Sequence, residues 1–282
     1  MLFFCFGGGV FLDELIRKSL EEDIGTGDIT TKYLDLEPVS STAFIVAKAE
    51  GVLAGAEVAR AVFKMVDPEL KITLYRKDGD KLHPKDEIMR LEGRPGSILQ
   101  GERTALNFMQ RLSGIATKTA ALVAIIAKTD TKLLDTRKTT PLLRTLEKYA
   151  VRIGGGYNHR FGLFDMVLIK ENHIRACGSI TSAVQRIRNH NTSYKIEVEV
   201  TNMKELDEAF AAGVDRVMLD NMTPAMIKAA VKKYKKRMEF EVSGGITEEN
   251  ILMYAKTGVQ YISSGALTHS YKSLDISLLF KE

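Results

Sequence analysis

The sequence predicts an α/β protein in two parts, a mixed α/β unit followed by a barrel of parallel strand–helix repeats. Three observations carry that expectation. After Thr131, six short apolar runs alternate with stretches of helical length and pattern, as in parallel βα units. Nearly all of those runs end on polar residues, as happens when successive strands open onto one shared mouth. No run leads into a GxGxxG followed by an acidic residue at the next strand end, which counts against a dinucleotide-binding sheet.

The elements follow in order. Leu12–Leu20 has the apolar spacing of a short helix, which "EEDIGTGDIT" ends through Gly25 and Gly27; Asp28 and Thr30 read as surface turn residues as readily as functional ones. "STAFIVAKAEGVLAG" has strand character, and Ala56–Met65 reads as a helix. "KITLYRKDGDKL" alternates and turns at Asp78-Gly79-Asp80, a hairpin signal. Gly101 to about Lys128 is helical, with Leu106, Met109, Leu112 and Ile115 at core-facing spacing.

The strands expected beyond it are "KLLD", "MVLI", "KIEVEV", "RVMLD", "EFEVSGG" and "QYISSG". Helices fit between them at Leu142–Val151, Ser179–Asn189, Met203–Ala212, Pro224–Lys236 and Thr247–Lys256, with Pro224 suited to a first helical turn.

Composition sets outer bounds. A chain of 282 residues with 45% hydrophobic and 27% charged residues suits a globular protein with a substantial core. A formal net charge of +4, without a basic tail or aromatic-rich basic stripe, does not point to nucleic acid. Two cysteines, Cys5 and Cys177, make no disulfide framework or thiolate metal site, and a reducing, cytoplasmic setting is expected. The apolar opening "MLFFCFGGGVFL" has no basic start, is broken by Gly7–Gly9 and is followed by Asp13 and Glu14. Neither a signal peptide nor a membrane span is expected there.

The strand ends carry the chemistry. Arg137 and Lys138 follow the first strand, Lys170 the second, Glu199 the third and Asp220 the fourth. Ser243-Gly244-Gly245 follows the fifth and Ser264-Gly265 the sixth. Arg137, His159, Arg160 and Lys170 supply donors suited to carboxylates or phosphates. Glu199 and Asp220 are hard oxygen ligands of the kind that hold Mg²⁺, and the glycine-containing turns offer backbone N–H groups to a phosphate. Together they imply a substrate with several anionic centres, such as a phosphorylated sugar diphosphate.

Plainer readings stand beside these. Arg144, Lys148 and Arg152 read as a solvated helix face. Asp135 reads as a buried strand-end acceptor, His173 as a helix cap or a local partner, and Glu199 alone as a salt bridge to Lys170. Glu197 is assigned to the side of its strand opposite Glu199.

"EEDIGTGDITT", "GERTALNFMQRLSGIAT", "DTRKTTPLLR", "GGGYNHRFGL", "DMVLIKENHI", "EVEV", "VMLDN", "VSGGI" and "YISSGALTHS" occur in the order of the blocks of the quinolinate phosphoribosyltransferase family, which the chain resembles over about Leu12–Ser270. The resemblance implies an N-terminal α/β sandwich over residues 1–107, with its helical link beginning near 101. It also implies a TIM-like, incomplete α/β barrel over 108–270 and a tail over 271–282 packed on the N-terminal domain. It implies decarboxylating transfer of phosphoribosyl from 5-phosphoribosyl 1-diphosphate to quinolinate with Mg²⁺, giving nicotinate mononucleotide for NAD synthesis.

By the same resemblance, Arg137, His159, Arg160 and Lys170 hold quinolinate, and Arg103 reaches into the partner's pocket of a homodimer, with higher association left open. Lys138, Glu199 and Asp220 surround the diphosphate and Mg²⁺; Ser243, Gly244, Gly245, Ser264, Gly265 and His269 hold the 5-phosphate. Lys138, Lys170, Glu199 and Asp220 are the implied catalytic set, with Glu199 and Asp220 the metal ligands. Leu142 stands where many relatives have glycine, which suggests a different helix entry. The apolar prefix has no counterpart in the family pattern. A nicotinate-using phosphoribosyltransferase, a relative associated with molybdenum uptake and a non-catalytic binder of phosphorylated metabolites are the alternatives.

Overall fold

The structure, a computed structural model, describes residues 8–34, 36, 40–234 and 237–281. Phe3, Phe4 and Cys5 of the apolar prefix, and Lys236 at the expected end of a helix, lie outside the described residues. In chain order the first elements are α1 (Gly8–Ile24), α2 (Ile29–Tyr33), β1 (Ser41–Ala47), β2 (Gly51–Val52), α3 (Ala56–Val66), β3 (Lys71–Leu74), β4 (Lys81–Leu82), β5 (Glu87–Gly93) and α4 (Pro95–Ile126). They continue as β6 (Lys132–Leu134), α5 (Arg144–Ile153), β7 (Val167–Ile169), α6 (Glu171–Cys177), α7 (Ile180–Arg188), β8 (Ile196–Val200) and α8 (Met203–Ala211). The last are β9 (Arg216–Asp220), α9 (Pro224–Tyr234), β10 (Glu239–Ser243), α10 (Ile251–Ala255), β11 (Tyr261–Ser263), α11 (Ala266–His269) and β12 (Ile276–Phe280).

The chain divides into two compact units. The first comprises the chain up to Lys118, Thr145–Gly154 and the chain from Tyr271. Its main sheet has the order β12-β1-β5-β3, with all neighbours antiparallel. Period-two alternation turns Ala43, Ile45 and Ala47 of β1 to the buried face. On α4, Leu106, Met109, Leu112 and Ile115 are all buried, as their spacing predicts. Gly101 of α4 faces Phe63 of α3 so closely that a Cβ there would lie 2.7 Å from the ring. The start of α4 is tied down by buried Asp67, which accepts from Ser97 Oγ at 2.7 Å and Arg94 Nη2 at 2.8 Å. Ser97, and then Arg94, hold the Asp67 carboxyl below its ordinary range against the opposing effect of burial.

Two expectations change in this unit. The turn at Asp78-Gly79-Asp80 is present, with Gly79 at φ +96°, but it joins strands that do not pair with each other. β3 pairs with β5, and β4 pairs with β2, because Asp78 accepts from Gly55 N and Ala56 N and draws the turn toward the start of α3. Nor does Lys148 belong to a solvated face of α5, although Arg152 there is exposed as expected. Lys148 is 2% exposed, and Glu147 is fully buried with its Oε1 2.6 Å from Arg111 Nη2. Glu147 meets its counter-charge inside the protein and does not need water to satisfy it.

The second unit comprises Thr119–Arg144 and Gly155–Ser270. Its six strands form one parallel sheet in the order β6-β11-β10-β9-β8-β7, and Tyr157 bridges Leu134 in parallel beyond β6. This is the sheet of a TIM-like barrel. Val198, Val217, Leu219, Phe240, Val242 and Ile262, all buried, face away from the mouth. On the other face stand Glu197, Arg216 and Glu241, where barrels ordinarily carry branched apolar residues. Pro224 opens α9 as expected, and Ile227, Ala230, Val231 and Tyr234 form its buried stripe. The helix expected from Thr247 begins only at Ile251, since Asn250 bonds back to Thr247 N and Gly245 O and holds a turn there. No helix among the described residues is long and apolar enough to cross a membrane.

Leu142 adopts φ +65° and is 71% exposed, two residues before α5 begins. The departure from glycine therefore places a branched side chain in left-handed backbone. Leu142→Gly is expected to raise the free energy of unfolding by about 1 kcal/mol in denaturant titration, with no loss of packing.

Candidate active site

The mouth of the second unit is a cavity of about 780 Å³. It is lined by Arg137, Lys138, His159, Arg160, Lys170, Glu199, Asp220, Ser243, Gly244, Gly245, Ser264, Gly265 and His269, which is every site residue expected from the sequence except Arg103. Arg103 is exposed on α4 in the first unit and is not among the lining residues.

Each strand end is held by local chemistry. After β6, Asp135 is fully buried and accepts from Asn158 Nδ2 at 2.6 Å and His159 N at 2.9 Å, the acceptor role its position suggested. Thr136 Oγ1 accepts from Lys138 N at 3.0 Å, and Thr268 Oγ1 donates to Lys138 O at 2.8 Å, so the Lys138 backbone is gripped from two sides. Arg144 donates to Thr139 Oγ1 at 3.0 Å and Phe161 O at 3.2 Å, linking the loops that carry Arg137 and Arg160. After β7, Lys170 caps α6 and its N–H donates to His173 Nδ1 at 3.0 Å, which settles His173 as a cap.

The charges are crowded. Arg137 Nε is a buried donor with no hydrogen-bond partner among the described residues. Arg160 donates to Met166 O at 3.0 Å, and its proton affinity is lowered by burial and by the Arg137 charge beside it. Lys170 Nζ ion-pairs with Glu199 Oε2, so the plain reading of Glu199 holds while both side chains still face the cavity. The Asp220 carboxyl is raised by burial and then by the charge of Glu199. A carboxyl held up by burial and by a second acid beside it is a fit place for a divalent cation.

Backbone geometry shapes the fifth and sixth strand ends. Gly244 has φ +98°, and a Cβ there would lie 2.2 Å from Asn221 Oδ1. Asn221, itself at φ +52°, donates through Nδ2 to Asp220 Oδ2 at 2.8 Å and through its N–H to Ser243 O at 3.0 Å. At Gly265 a Cβ would meet the Lys138 side chain at 2.7 Å and His269 Nε2 at 3.2 Å.

Beneath this rim lies a group the sequence reading misplaced. Glu197 shares the face of Glu199 instead of opposing it, because residues two apart on a strand point the same way. Its Oε2 is 3.1 Å from His159 Nε2, and Glu241 Oε2 is 3.4 Å from the same atom. His159, Glu197 and Glu241 thus form a group of metal-ligating residue types, with ligand atoms within 4.8 Å of one another. Burial opposes charge on His159, while Glu197 and Glu241 pull the other way and raise its affinity for a proton. The Glu197 carboxyl is raised by burial and by Glu241. Arg216 Nη1 lies 3.5 Å from Glu241 Oε2, while Arg216 Nη2 meets Glu239 at 3.0 Å over the Tyr261 ring. The signal for Glu241 was available in "EFEVS", whose alternation puts it on the face of Ser243.

Residues 28–113 match the family Quinolinate phosphoribosyl transferase, N-terminal domain, and residues 115–279 match Quinolinate phosphoribosyl transferase, C-terminal domain. The chain belongs to the quinolinate phosphoribosyltransferase family. It is 48% identical over 268 residues to a Bacillus subtilis (strain 168) protein named probable nicotinate-nucleotide pyrophosphorylase (carboxylating), covering 95% of this chain and 92% of that one. An Arabidopsis thaliana chloroplastic nicotinate-nucleotide pyrophosphorylase (carboxylating) is 42% identical over 287 residues, covering 95% and 82%. The solved nicotinate-nucleotide pyrophosphorylase of Francisella tularensis superposes with a TM-score of 0.93 at 46% identity, covering 96% of each chain.

The tight fit of Gly244 under Asn221 is a sensitive point of this family site. Gly244→Ala is expected to lower kcat/KM for the phosphorylated substrate by at least about tenfold, with the thermal melt little changed. Steady-state kinetics with that substrate varied checks it.

Proposed function

We infer that the chain is a decarboxylating quinolinate phosphoribosyltransferase, joining quinolinate to 5-phosphoribosyl 1-diphosphate and releasing nicotinate mononucleotide, diphosphate and carbon dioxide. Family membership over both matched domains supports the reaction. The single structural observation that carries the reading is one cavity holding Arg137, Arg160 and Lys170 together with Glu199 and Asp220. A diacid and a diphosphate need such cations, and a ribose and a metal need such acids.

Arg137, Arg160 and Lys170 offset the two adjacent carboxylates of quinolinate and aim its ring nitrogen at the anomeric carbon. Orientation of this kind is worth much, since an error of about 1 Å costs on the order of a hundredfold. As the nitrogen–carbon bond forms, the carbon–oxygen bond to diphosphate breaks, and negative charge grows on the leaving group. Lys138 is placed to stabilise that growing charge, which counts for rate because it strengthens toward the transition state.

Glu199 and Asp220 hold the ribose hydroxyls and would hold Mg²⁺, which when bound neutralises diphosphate oxygens. The turns at Ser243–Gly245 and Ser264-Gly265, with His269, take the 5-phosphate. Once ribosylated, the ring is cationic and stabilises the electron pair left on carbon 2 as carbon dioxide departs, and a proton from water then takes the vacated position. His159 belongs to the quinolinate end of the cavity. The working form is a homodimer in which Arg103 of one copy completes the pocket of the other, and the setting is cytoplasmic.

Three measurements check this. Carbon dioxide release from quinolinate should require both 5-phosphoribosyl 1-diphosphate and Mg²⁺; release of neither carbon dioxide nor diphosphate would refute the activity, and diphosphate release with nicotinate alone would mark the non-decarboxylating alternative. Arg137→Ala should lower kcat/KM for quinolinate by about a hundredfold with the fold intact by circular dichroism. Mixed dimers of inactive Arg103→Ala and Lys170→Ala subunits should regain activity, because one of the two pockets is then whole; no recovery in demonstrated mixed dimers contradicts the shared site.

A further inference from the structure

We propose that His159 acts as a positioning residue for Arg160, clamped from below by Glu197 and Glu241, and does not itself bind the diacid through a ring nitrogen. The proposal rests on the activity inferred above and deepens it. The His159 ring lines the cavity yet is nearly buried, and both of its nitrogens are turned to the protein. Nδ1 accepts the backbone N–H of Arg160 at 2.7 Å. A ring nitrogen that receives an N–H carries no proton, so the Arg160 N–H at Nδ1 keeps the ring neutral with its one proton on Nε2, against the pull of Glu197 and Glu241 toward a second proton.

Nε2 in turn faces Glu197 Oε2 at 3.1 Å and Glu241 Oε2 at 3.4 Å, two acceptors for its one N–H. These acids sit on β8 and β10, two residues below Glu199 and Ser243 at the cavity rim. Asp135 Oδ1 fixes the same loop by accepting His159 N at 2.9 Å. One ring therefore ties the segment between α5 and β7 to two inner strands, and its Nδ1 lone pair sets where the Arg160 backbone lies. Arg160 then needs only its contact to Met166 O at 3.0 Å to project its guanidinium into the cavity.

The same tautomer bears on the metal-type spacing of this group. A nitrogen that holds a proton cannot also ligate a cation, so Nε2 serves as a donor to the two acids. Arg216 stands on the far side of Glu241, at 3.5 Å, and offsets the acidic charge below the ring. The arrangement supports the orientation of a cation in the site at a distance from the reacting atoms, as supporting shells commonly do.

Nitrogen-15 spectra of the histidine-labelled wild-type protein read the tautomer without any turnover. A bare Nδ1 and a protonated Nε2 on His159 are expected; the reverse pattern, or a proton on both nitrogens, overturns the proposal. Kinetics supply the functional half. In His159→Asn the side-chain oxygen stands near the place of Nδ1 and still accepts from Arg160, whereas His159→Gln reaches toward the acids but leaves that N–H unmet. The Gln variant should raise KM for quinolinate about tenfold with KM for 5-phosphoribosyl 1-diphosphate unmoved, and the Asn variant should recover most of that loss. Equal impairment of the two variants, or an equal rise in both KM values, overturns the proposal. Absence of quinolinate turnover in the wild type would instead count against the activity, which the spectra do not depend on.

Discussion

Like charges held together at one end of a parallel sheet are the constraint on which the rest of this structure depends. Arg137, Lys138, Arg160 and Lys170 share a cavity with Glu199 and Asp220. The crowding bears on two of its members: Arg160 is pushed down by burial and by Arg137, and Asp220 is pushed up by burial and by Glu199. Like charges held this close favour a ligand that brings the opposite charge to them. In the proposed function a diacid answers the arginines, and a metal-bound diphosphate answers the carboxylates and Lys138.

The fold holds these charges by backbone and not only by side chains. Two glycines pack closely against side chains of the rim, Gly244 against Asn221 and Gly265 against Lys138. Asn221 accepts a left-handed backbone, and in that conformation it bonds Asp220 and meets Ser243 O. The polar interior below the rim continues the same logic. Glu197, Glu241, His159 and Arg216 occupy space that an ordinary barrel fills with branched apolar side chains, and they are arranged so that charge faces counter-charge.

Much of this was legible in the sequence. The six parallel strands and most of the helices follow from apolar runs and their spacing, and the polar ends of those runs are the lining of the cavity. What was not legible depends on tertiary context. The turn at Asp78–Asp80 looks like a hairpin locally, but Asp78 is claimed by the N–H groups of Gly55 and Ala56. Lys148 looks like a surface cation, and only the placement of α5 buries it. The inward side of Glu197 was available from period two and was misjudged, while the tautomer of His159 needed the position of a backbone N–H that no sequence pattern reports.

The central claim is that the cations of this cavity are set for two adjacent carboxylates. Calorimetric titration of quinolinate and of nicotinate into the protein tests it most directly, since the two ligands differ by the carboxylate at carbon 2. The account predicts that quinolinate binds about a hundredfold more tightly than nicotinate and that added salt weakens it more. Equal affinities for the two, with equal salt dependence, would contradict it.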